Sequence, residues 1–74
     1  MTIQKAQNEI ANLQFKISEV ESIIKMVELR SFDSRAANDF IFELEDEKKQ
    51  HIARIEKIQN WINEQIQNWV PANQ

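Results

Sequence analysis

His51 is the single histidine of the chain, and it follows the most heavily charged stretch of the sequence, Glu43, Glu45, Asp46, Glu47, Lys48 and Lys49. A histidine set in an apolar seam is a candidate pH switch. A carboxylate and a histidine one helical turn apart also suggest metal chemistry. The helical di-iron bundles, however, use Glu-x-x-His, whereas Glu47 and His51 are four apart. The four acidic residues would spread around most of a helix, and a cation needs oxygens that converge on one point. Glu45 and Lys49 read instead as an i,i+4 ion pair on a solvated face. Lys48 and His51 read as a polar layer in an otherwise apolar seam, of the kind that sets register in coiled coils.

The remaining catalytic chemistries lack their parts. The chain holds no Cys and no Gly, so thiolate ligands, disulfides and phosphate-cradling glycine loops are absent. Nucleophilic catalysis needs a base held against a nucleophile beside a substrate pocket, and no such constellation is present. The expectation is a non-enzymatic protein with no metal and no cofactor. Trp61 and Trp69, eight apart, would share one helix face. Trp is enriched at binding hot spots and serves equally well to close the open end of a bundle.

The elements carrying these residues are helices. Ile3, Ile10, Ile17 and Ile24 recur every seven residues, and Ala6, Leu13, Val20 and Val27 recur with the same period, offset by three. Every a and d position across four heptads is therefore apolar, which predicts helix 1 over about 2–30. Thr2 is a suitable N-cap, and Arg30 complements the negative helix end. The pattern fails at Ser31, where capping residues Asp33 and Ser34 appear, which predicts a loop over about 31–34. Helix 2 is expected over about 35–70, stopped by Pro71, with a frayed tail at 71–74. Its frame is Ala37, Ile41, Leu44, Ile55, Ile58, Ile62 and Trp69, with Lys48, His51 and Gln65 in the same core slots. Leu44, Ile55 and Ile66 are also spaced by eleven, which predicts a straighter helix with a drifting seam.

A short loop makes the helices antiparallel neighbours. Folding at about Asp33 sets Val20 level with Lys48, Ile17 with His51, Leu13 with Ile55 and Ile10 with Ile58. The fold class is thus all-α, a coiled-coil-like antiparallel hairpin. Seventy-four residues form one domain whose single-chain stability is marginal without help from disulfides, metals or partners. Ile23, Met26, Leu29, Phe32 and Phe42 near the loop, and Phe15, Ile52, Trp61 and Ile66 toward the other end, lie off the seam, and Trp69 overhangs the first helix. Helices apolar on more than one face are normally buried on more than one face. These residues are the candidate oligomer or partner surface, and a symmetric homodimer forming a four-helix bundle is the first expectation. The expected role is a structural or regulatory subunit that self-associates or binds a larger protein. The alternative is a small inhibitor or adaptor that orders on joining a hetero-complex.

A formal charge of −3 with dispersed basic residues disfavours an RNA- or DNA-binding hairpin dimer. No apolar run approaches the ~20 residues that span a bilayer. The opening Met1-Thr2-Ile3-Gln4-Lys5 lacks the apolar core of a signal peptide, so a cytoplasmic location is expected.

Overall fold

The computed structural model describes residues 2–31 and 34–69. They form two helices, α1 (Ile3–Ser31) and α2 (Arg35–Trp69), packed along their lengths as an all-α hairpin. Glu9 pairs with Arg54, and Glu21, farther along α1, pairs with Lys48, nearer the start of α2, so the helices run in opposite directions. The molecule is a rod of 62 × 19 × 15 Å, two helices thick.

Each helix starts where a hydroxyl replaces its missing acceptors. The Lys5 amide donates to Thr2 Oγ1 at 3.1 Å and the Ala6 amide to the Thr2 carbonyl at 3.0 Å. Ser34 does the same for α2: the Ala37 amide donates to its Oγ at 3.3 Å and the Asn38 amide to its carbonyl at 3.0 Å. Of the two candidate caps, Ser34 is therefore the one in place. Arg30 sits in the last turn of α1, next to the unpaired carbonyls it complements. Phe32, Asp33, Val70 and the tail 71–74 lie outside the described residues.

The core is a single seam. On α1 the buried residues are Ala6, Leu13, Val20 and Ile24, with Ile10, Ile17 and Val27 half-buried between them. Ile3, at the open end, is exposed. On α2 burial falls on Ala37, Ile41, Leu44, Lys48 and His51, then on Ile55, Ile58, Ile62 and Gln65. That is the seven-residue frame throughout. The eleven-residue spacing does not steer the helix, because Ile52 and Ile66 stand exposed beside the seam. A partner helix on one side only can cover one stripe, and the stripe it covers is the one that repeats most often.

The tightest part is the open half, where Ala6, Leu13 and Ile58 form a cluster against which Ile10, Ile55, Trp61 and Ile62 pack. Ile58 keeps only 4% of its surface exposed, a burial that contributes about 1.5–3 kcal/mol. Among the described residues only Ala6 is fully enclosed. Two rods in contact along one line have no interior in which a large side chain is surrounded.

Candidate interaction surface

The seam divides the hairpin surface into two flanks. One carries the Glu21–Lys48 ion pair (3.4 Å) and an open groove lined by Ile24, Lys25, Glu45, Lys49 and Ile52. The other carries the Glu9–Arg54 pair, in which Arg54 Nε donates to Glu9 Oε1 at 3.2 Å and Nη2 lies at the same distance. Lys16, Ile23, Glu47 and His51 line a groove on this second flank, and Arg54, Lys57 and Trp61 line another. Both ion pairs lie at the surface, where such contacts contribute about 0–1 kcal/mol.

The polar layer sits in the seam. Lys48 and His51 are half-buried, and the Lys48 ammonium reaches out across the hairpin to Glu21, so its stem covers apolar surface while its charge stays wet. The expected Glu45–Lys49 pair is not among the ion pairs of the described residues. An exposed i,i+4 pair gains only about 0.3–0.5 kcal/mol, too little to hold two long side chains in one rotamer each. In the same charged run, Gln50 donates to Asp46 Oδ2 at 3.1 Å, one turn away along a solvated face.

The off-seam hydrophobes do not gather into one patch. Ile23 and Met26 form a shallow apolar site with Val27 and Arg30 on the second flank. Phe42 lies three and seven residues before Glu45 and Lys49, hence on the first flank, and is 73% exposed. The loop-end surface is thus split by the seam. Leu29, 81% exposed, and Phe15 point away from the partner helix. Trp61 is half-buried against the core cluster and widens the seam on the second flank, so only part of it is free for contact. Ile66 is exposed on the first flank, three residues before Trp69, the last residue of α2.

Phe40, 45% exposed, is a further hydrophobe beside the seam that the residue pattern did not single out. Its position immediately before the core residue Ile41 was the signal that would have placed it next to Ile23 on the second flank.

Among the described residues no helix is long and apolar enough to cross a membrane. Compared with family models, curated proteins and solved structures, the chain matches none.

Proposed function

We infer that this protein is a small non-enzymatic helical interaction module, a structural or regulatory subunit that self-associates, with a homodimeric four-helix bundle as the assembly. The observation that carries this reading is the imbalance between core and surface. Five hydrophobic residues are buried, while Phe15, Met26, Leu29, Phe40 and Phe42, among others, remain large and exposed. Leaving this many apolar side chains in water is unfavourable at about 1.5–3 kcal/mol for each that a partner would bury fully, and such exposure favours association. A second hairpin of the same shape supplies the missing layer.

The hetero-complex alternative predicts a different isolated state, weakly helical until its partner is present. Circular dichroism melts at two protein concentrations separate the two, because the melting point of a dimer rises with concentration. The self-associating module gives a cooperative, concentration-dependent transition and a sedimentation mass of twice 8.8 kDa. A stably folded 8.8 kDa species at high micromolar concentration would refute it.

A further inference from the structure

Charge is distributed unevenly over the open half of the hairpin. On α1 the charged residues from Ile3 to Ser18 are Lys5, Glu9 and Lys16. Glu9 and Lys16 lie on the second flank, and Lys5 is one turn from Glu9. On α2 the charges after Ile52 are Arg54, Glu56, Lys57 and Glu64. Arg54 and Lys57 line the second flank, and Glu64 lies two turns beyond Lys57. Of all these, only Glu56 falls on the first flank.

The first flank of this half is therefore almost free of charge. From α1 it presents Gln4, Gln7, Ala11, Gln14 and Ser18, all exposed. From α2 it presents Ile52, Gln59, Asn63 and Ile66, also exposed. In a chain that is 28% charged, clearing one face selectively is the pattern of an interface, whose centre is depleted of charge.

We propose that this face binds a second copy of the chain, related by a two-fold axis that lies in the contact plane and crosses the two helices at Ala11 and Gln59, which stand nearly level. The proposal rests on the self-association inferred above and names a surface for it, one that covers the exposed Ile52 and Ile66 and leaves Phe15, Met26, Leu29 and Phe40 outside the contact. A two-fold contact sets residues near the axis against their own twins, so a charged residue there would repel itself, whereas a glutamine amide is both donor and acceptor and can bond its twin. Ala11 on the axis lets the backbones approach. Ile52 and Ile66 are seven residues to either side of Gln59, so an antiparallel α2 pair sets each Ile52 against Ile66 of the second copy. The one charge, Glu56, then meets Asn63 of the second copy rather than another carboxylate. Half of a 62 × 19 Å face amounts to about 600 Å² per copy, or roughly 1,200 Å² in all, the lower bound of a standard specific interface.

The chain has no Cys, so a single introduced thiol reports contacts cleanly. Under mild oxidation Gln59→Cys is expected to form a disulfide-linked dimer, and Glu43→Cys, on the second flank, is not. Gln14→Glu combined with Ile52→Glu is expected to weaken self-association roughly a hundredfold by setting an unpaired carboxylate at position 52 against Ile66 of the second copy and another close to the axis, while Met26→Asp leaves the mass in solution unchanged. If the wild type is dimeric but Gln59→Cys does not cross-link, or the double variant keeps its mass, the neutral face is wrong and self-association proceeds elsewhere. If the wild type is a folded monomer, both the face and the function reading fail. Where the double variant unfolds, the Gln59→Cys result decides.

Discussion

Ile58→Ala tests whether the open-end cluster of Ala6, Leu13 and Ile58 carries the stability of the hairpin. Ile58 is 4% exposed and packs against both helices. Truncating a buried Ile to Ala costs about 2–5 kcal/mol. The lower end applies, because a two-helix seam is open to water on both flanks and the facing side chains can settle into the gap. A loss of about 2 kcal/mol lowers the melting temperature of a domain this size by roughly 8–16 °C. The matched control is Leu29→Ala, which removes as many carbon atoms in changing Leu to Ala from a side chain 81% exposed. A surface change of that kind stays within about 0.5 kcal/mol, or a few degrees. Thermal melts followed by circular dichroism at one protein concentration compare the two. Equal shifts for Ile58→Ala and Leu29→Ala would refute the seam as drawn, because burial would no longer predict cost. A larger shift for Leu29→Ala would mean that its face is covered in the native assembly.

Leu13→Asp sets an unpaired carboxylate in the cluster and Ile17→Asp does so in the half-buried seam beside it. Both are expected to abolish the cooperative helical transition. Ser34→Ala removes the acceptor of the Ala37 amide and should cost about 1 kcal/mol, read as a lower denaturant midpoint with unchanged slope, whereas Ser34→Asp should retain most of the stability. A double-mutant cycle on Glu9 and Arg54 is expected to return a coupling of about 0.2–1 kcal/mol that shrinks in high salt. A coupling that persists in molar salt would mean the pair is more enclosed than the hairpin alone makes it.

The seven-residue repeat made α1 legible from its sequence, and the capping residues did the same for the start of α2. Thr2 and Ser34 both carry out the role their side chains suggest. The frame of α2 was harder to read, because isoleucines recur on two spacings and two polar residues interrupt one of them. Burial follows the frame that includes Lys48 and His51, since the rigid a/d geometry of α1 can face only a matching stripe. The flanks were the least legible. Met26 and Phe42 look like neighbours when a sequence is folded at Asp33, yet they project to opposite sides, because their places beside the seam differ even where their levels agree. Composition shows that a hydrophobe is off the core, and only the frame of both helices shows on which side.

That frame also explains what sets the register of a hairpin whose turn contains neither Gly nor Pro. A core repeating every seven residues tolerates a seven-residue slip at small cost, since Ile replaces Ile. The second flank does not tolerate it. Glu9 meets Arg54, one heptad along Lys16 shares a groove with Glu47, and one heptad farther Ile23 comes level with Phe40. Sliding α2 by seven residues in one direction sets Glu9 against Glu47 and Lys16 against Phe40. Sliding it in the other sets Lys16 against Arg54 and Ile23 against Glu47. Each native pair adds little in free energy, but each slipped pair exchanges attraction for repulsion or strands a charge on an apolar side chain. Lys48 works in the same direction for one of the two slips, because moving it one heptad toward the start of α1 would set its ammonium beside Gln14 in place of Glu21. Flank charges of this kind specify alignment more than stability, and the charge-poor open half of the first flank is the one left available for a symmetric contact.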